Sequence, residues 1–226
     1  MDILEQIRQR AAATPQHIVL PEGDDPRTVF AAAVCTQRRL ARITMLGDEA
    51  KIRSTAESER IDLGGVEVLD HRRAPDFEKM VSLFQDLRRA KGMMADEART
   101  MLMDPLYYGN LMVRTGRADG SVAGATNTTS HTVRAALLCI GVRAGFKLVS
   151  SFFLMSLRDS SFGHHGAMIF ADCGVVIDPT AAELGEIAIS SADSCRARGT
   201  TSPYAARWPR PARRSAVRAR CGSTTC

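Results

Sequence analysis

Short apolar runs alternate along the chain with stretches whose apolar residues recur every three or four positions. The first pattern predicts strands and the second predicts helices. "HIVLPEG", His17 to Gly23, reads as a buried strand running into a turn. Pro26 suits the first position of a helix over "RTVFAAAVCTQRRLA", where a fixed φ and a missing N–H cost nothing. "RITMLG" is a second strand, "DEAKIRSTAES" a helix with acids at its start, and "VEVLDH" a third strand. In "DFEKMVSLFQDLRRAKG" the residues Phe77, Met80, Val81, Phe84 and Leu87 share one helical face, and Gly92 caps the end. "ADEARTMLMDPLYYGNLMVRTG" is helical on both sides of Pro105, which predicts a break there. "GSVAGA" is a fourth strand, and the hydroxyl-rich "TNTTSHTVRAALLCIG" turns into a helix. Strand and helix thus alternate four times with short connections, the pattern of an α/β domain with a largely parallel sheet.

The texture changes near Gly145. "KLVSSFFLMSLRD" and "GAMIFADCGVVID" are two β-rich runs joined by a turn at "DSSFGHHG", and they read as the start of a second sheet. "PTAAELGEIAISSADSCRA" adds a helix with Glu183 and Glu186 in its early turns. After Ala197 the periodicity stops. Val217 is the only aliphatic residue larger than alanine in the last 29, and three prolines punctuate them. Such a stretch buries too little to offset chain entropy, which predicts disorder. The expected organisation is an N-terminal α/β domain over 1–146, the start of a second α/β domain over 147–197, and an Arg/Pro/Ala-rich tail over 198–226.

Charge sharpens that division. The formal net charge is +5, but the last 29 residues hold seven arginines and no Asp or Glu. The remainder carries 23 basic against 25 acidic residues, so the basic character belongs to the tail alone. A nucleic-acid-binding arm acting through phosphate contacts is one reading of that tail. Its only aromatics, Tyr204 and Trp208, leave little for base stacking. The six cysteines form no C-x-x-C pair, and buried free thiols are expected for most of them. The N-terminus lacks the apolar stretch of a signal peptide, no apolar run approaches ~20 residues, and a reducing cytoplasm fits best.

The stretch with most chemistry is "ADGSVAGATNTTSHTVRAAL". A small-residue strand delivers the chain to Thr126, Thr128 and Thr129, and a helix follows directly. The first N–H groups of a helix suit an anion, and Gly124 permits close backbone approach. Arg134 sits early in that helix, where a cation is disfavoured unless something negative faces it. Together they describe a phosphate or acyl-phosphate cradle. An ordinary threonine cap with a surface arginine explains the same residues. Arg88, Arg89 and Lys91 either complement a helix C-terminus or bind a polyphosphate such as coenzyme A. Glu22, Asp24 and Asp25 lie at a strand's C-terminal end, where α/β proteins bind ligands. They serve equally as a turn and a helix start. His164 and His165 with Cys173 make a poor metal set, since adjacent histidines in a turn point apart, and no metal site is expected.

The segments "HIVLPEGDDPRT", "DLRRAKGMMADEAR", "MDPLYYGNLMVRTGRADGSVAGATNTTSHTVRAAL", "KLVSSFFLM" and "IFADCGVVIDPTAAELGEIAISSADS" resemble the phosphate acetyltransferases, in the family's order and spacing, from about His17 to Ala197. The resemblance implies acetyl transfer between coenzyme A and inorganic phosphate, in two α/β domains resembling the isocitrate/isopropylmalate dehydrogenase architecture. It also implies a homodimer, no metal and no permanently bound cofactor. Phosphate butyryltransferases share the chemistry and are an alternative. The resemblance places Gly124, Thr126, Thr128, Thr129 and Arg134 on the phosphate side and Arg88 toward coenzyme A. One local departure is Ala135, where a proline is usual. A second is larger. The family's later segment, with a motif like Asn-Asp-Leu-Ser-Arg-Gly that supplies its catalytic serine, arginine and nearby aspartate, has no counterpart here. No catalytic residue is therefore assigned. The expectation is a truncated chain with weak or no activity alone, leaving a non-catalytic fragment that binds coenzyme A as a further alternative.

Overall fold

The computed structural model describes residues 3–159 and 161–197. The arginine-rich stretch 198–226, with the readings placed on it, lies outside the described residues. The described residues form two compact units, one spanning Gln9–Gly141 and the other joining the described parts of Met1–Arg8 and Val142–Cys226.

In the first unit, β1 (Gln16–Leu20), β2 (Ala41–Leu46), β3 (Glu67–Leu69) and β4 (Gly120–Ser121) form one parallel sheet in the order β3-β2-β1-β4. Helix α1 (Ile3–Ala13), whose first part belongs to the other unit, precedes β1 in the chain. Helices α2 (Pro26–Gln37) and α3 (Glu49–Ser58) connect β1 to β2 and β2 to β3. Helices α4 (Phe77–Arg88), α5 (Ala95–Leu102) and α6 (Pro105–Arg114) carry the chain from β3 back past β1 to β4, and α7 (Thr129–Cys139) follows.

Successive strand residues point to opposite faces, and here both faces are covered. Leu20, Ile43 and Met45 pack with Val29, Ala32, Ile52 and Ala56 of α2 and α3. Val19 and Leu46 pack with Phe84, Leu102, Leu106, Tyr108 and Leu111 of α4, α5 and α6. Fully burying each such large side chain contributes roughly 1.5–3 kcal/mol. Gly109 of α6 lies so close to β1 that an added Cβ would stand 3.2 Å from Val19, which lets this helix press onto the sheet.

Helix starts follow acidic caps. Asp25, Asp48 and Asp104 accept from the first-turn N–H groups of α2, α3 and α6. The break expected at Pro105 separates α5 from α6. Gly92 ends the α4 segment in the left-handed region, φ +80°, after a short 3₁₀ turn at Arg89–Lys91. The fourth strand is shorter than the sequence predicts. Strand pairing covers only Gly120 and Ser121; the Val122 N–H still donates to the Val19 carbonyl at 3.0 Å, and the chain then leaves the sheet as the Gly124 and Ala125 N–H groups turn elsewhere, as described below.

In the second unit, β5 (Phe152–Ser156) and β6 (Ala167–Ala171) pair antiparallel, and α8 (Ala181–Ala197) packs against β6. Thr180 and Glu183 form a reciprocal capping box at the start of α8. One face of the hairpin stays exposed: Phe153 is opposite Phe170, and both are about half exposed.

Candidate functional site

The strand order reverses between β1 and β4. In open parallel sheets, ligands bind outside the strands' C-terminal ends at such a switch point. From β1 comes Glu22, and from β4 comes the loop 122–128.

The two meet directly. One Glu22 carboxylate oxygen accepts from the Gly124 and Ala125 N–H groups at 2.7 Å each. The other accepts from the Thr126 and Asn127 N–H groups, the Thr126 hydroxyl and the Asn127 side-chain amide, at 2.8–3.1 Å. Four successive main-chain donors thus converge on one carboxylate, the nest geometry that holds anions elsewhere. Gly124 adopts φ +111°, which favours glycine. Arg27, itself paired with the α2 cap Asp25, donates to the Ala125 carbonyl at 2.6 Å. The loop is therefore fixed through both its N–H groups and a carbonyl.

Glu22 is only 7% exposed. Burial by itself would push its carboxyl up. The N–H groups of Thr126, Asn127 and Ala125 and the Asn127 amide outweigh that and hold it at about 2.

This geometry revises the predicted cradle. The N–H groups of Gly124 and Thr126, and the Thr126 hydroxyl, face Glu22 rather than open solvent. Thr128 is the cap of α7, accepting from the His131 N–H and meeting the Ser130 hydroxyl at 3.1 Å. Thr129 opens the helix, and both threonines are exposed. Arg134 lies further along α7, is exposed, and meets no ion-pair partner among the described residues. Arg88, half-buried at the end of α4, likewise has none among them. The buried Cys139 thiol lies 3.6 Å from the Tyr107 carbonyl; Arg88 acts on that thiol and Arg134 on the Tyr107 hydroxyl. Burial raises both groups, and takes Cys139 to about 12.

Beside the loop, and lined in part by Glu22, Thr126 and Asn127, lies a cavity of about 500 Å³. Asp24, Asp48 and Asp104 also line it, against Lys51, Arg72 and His71. Its charges are largely matched: Lys51 pairs with Asp24 at 2.7 Å, and His131 meets Asp104 at 2.9 Å. His71 is buried, with Nε2 at 2.9 Å from the Met103 carbonyl; burial lowers its pKa. With Glu22 the lining holds four carboxylates against Lys51 and Arg72, and this acidic excess opposes a phosphate. Of the three acids after β1, Asp24 lines this cavity, Asp25 caps α2, and Glu22 organises the loop.

The second unit repeats the device. The Asp172 carboxylate accepts from the Ser151 N–H and hydroxyl and from the N–H groups of Gly174, Val175 and Val176. Burial raises this carboxyl, but the Ser151 hydroxyl and the loop N–H groups hold it at about 2. Among the described residues no cluster of His, Cys, Asp and Glu has a metal-holding arrangement, and no helix is long and apolar enough to cross a membrane.

Sequence reasoning placed Glu22 at the ligand end of β1 and missed its bond to the loop. The partners are 102 to 105 residues apart, and the β1–β4 pairing brings them together.

The described residues thus define a parallel α/β unit with a glycine- and hydroxyl-rich loop at its switch point, held there by a buried carboxylate. Comparison makes this particular. Residues 2–207 match the family described as "Phosphate acetyl/butaryl transferase", and the chain belongs to that family. It is 43% identical over 194 residues to a phosphate acetyltransferase of Acetivibrio thermocellus, covering 86% of this chain and 58% of that protein. A phosphotransacetylase structure from Streptococcus pyogenes superposes with a TM-score of 0.80 at 33% identity, covering 87% of this chain and 58% of that one. The EutD phosphotransacetylase from Staphylococcus aureus gives 0.78 at 30%, with the same coverage. The chain thus spans a little over half the length of these relatives.

Proposed function

We propose that this chain carries the coenzyme A and phosphate side of an acetyl transfer: acetyl-CoA + phosphate ⇌ acetyl phosphate + CoA. Family membership over residues 2–207 is the observation that carries this reading. The chemistry asks for cations and hydroxyl donors that hold phosphate groups and a developing oxyanion. Arg88 and Arg134, unpaired among the described residues, with the Thr128 and Thr129 hydroxyls, meet that need. Gly124 and Thr126 contribute by shaping the loop rather than by offering free N–H donors. Coenzyme A enters as substrate, with no permanently bound cofactor.

The same reading carries the finer expectations: the isocitrate/isopropylmalate dehydrogenase-like architecture, a second α/β domain beginning over 147–197, a homodimer and a cytoplasmic setting. No catalytic residue is assigned within this chain, so substrate binding rather than turnover is the property it is proposed to show alone. Titrating coenzyme A into the purified chain by calorimetry tests this. A saturable heat of binding is expected, and its absence would contradict the reading.

A further inference from the structure

We propose that Glu22 is a positioning residue of this site, a built-in anion whose carboxylate sets the loop 124–127 so that Thr128 and the first turn of α7 meet the phosphate. This rests on the acyl-transfer reading above.

Three observations carry it. The carboxylate takes six hydrogen bonds, four of them from consecutive main-chain N–H groups. Those N–H groups have no strand partners, and the one carboxylate satisfies all four. Arg27 also holds the Ala125 carbonyl, so the loop is fixed through a carbonyl as well as its N–H groups. The loop also runs straight into the α7 cap: Asn127 is bound to Glu22, and Thr128 is the next residue. Any shift of 124–127 therefore moves the Thr128 and Thr129 hydroxyls and the helix bearing Arg134.

The charge of Glu22 matters as much as its shape. A glutamine at 22 has the same outline. Its amide nitrogen would face either the Gly124 and Ala125 donors or the Thr126 and Asn127 donors, so one pair loses its acceptor. A role in packing alone would tolerate that change. A positioning role would not.

The rival arrangement has phosphate itself occupying the nest, with Glu22 as an internal competitor. The two predict opposite effects of removing the carboxylate.

The test uses the full chain. Coenzyme A affinity is read by calorimetry and inorganic phosphate affinity by phosphorus NMR, in the wild type, Glu22→Gln and Glu22→Ala. Amide spectra of 124–129 show whether each variant stays folded. Phosphate binding weaker on the order of 10-fold is expected for both variants, as for a misplaced binding group. Added formate, a small carboxylate able to enter the vacated nest, is expected to restore phosphate binding in Glu22→Ala and not in Glu22→Gln. Wild-type affinity in Glu22→Gln, or tighter phosphate binding in Glu22→Ala, overturns the positioning role while coenzyme A binding by the wild type leaves the acyl-transfer reading standing. A folded wild type that binds neither ligand overturns both.

Discussion

Lowering the pH should unfasten Glu22 from its loop, and the size of that effect follows from the structure. The carboxyl is held at about 2 against an ordinary value of 4.5. A depressed folded-state pKa stabilises the fold above the unfolded value. That stabilisation is lost as pH falls from about 4.5 through about 2. A shift of this size corresponds to on the order of 3 kcal/mol, a large share of the 5–15 kcal/mol typical of a domain. Asp25 and Asp172 are held at about 2 as well, so the wild-type curve alone mixes several groups. The difference between wild type and Glu22→Gln isolates one of them. Urea unfolding followed by circular dichroism at several pH values between 7 and 2.5 gives that difference. It should be largest at neutral pH, on the order of 3 kcal/mol, and shrink steadily below about pH 4.5. A difference that stays constant across this range would refute the reasoning, since it would mean that shape and not charge makes the contact.

Other contacts make separate predictions. Tyr108 is fully buried and donates its hydroxyl to Asp76 at 2.8 Å beside Arg117, so Tyr108→Phe should lower the urea midpoint by the equivalent of about 1–2 kcal/mol. Thr180→Ala removes the reciprocal cap of α8, and amide exchange in that helix's first turn should quicken by the equivalent of about 1 kcal/mol. Cys139 is buried, with its thiol pushed up to about 12, whereas Cys35 and Cys173 are partly exposed; peptide mapping after a thiol reagent should show Cys139 modified after both. Phe153 and Phe170 form an exposed apolar pair on β5 and β6, so Phe153→Ser with Phe170→Ser should reduce binding of a fluorescent apolar dye while changing stability by less than about 1 kcal/mol.

Much of the first unit was legible because its signals are local. The runs around Ile18–Leu20 and Ile43–Leu46 are apolar on both faces, as a sheet covered on both sides requires. Pro26, Pro105 and Gly92 mark helix boundaries through backbone constraints that act within one turn. The site was less legible for the opposite reason. The glycine and hydroxyl content of 124–129 pointed to an anion, and the anion found there is a side chain of the protein, brought from a hundred residues earlier by strand pairing. The same capture explains the fourth strand. Val122 to Ala125 has strand-like composition, but beyond the Val122 N–H, which donates to Val19, the Gly124 and Ala125 donors turn to Glu22. Helix α1 escaped because charged and amide residues interrupt its apolar positions and only Ile3 is buried among those described.

The most direct measurement is a crystal structure of this chain grown with coenzyme A. The account predicts phosphate groups beside Arg88 and Arg134 on the α4–α7 side, with Glu22 still holding the four N–H groups of 124–127. Phosphate density in the cavity lined by Asp24, Asp48 and Asp104, or in the nest with Glu22 displaced, would contradict it.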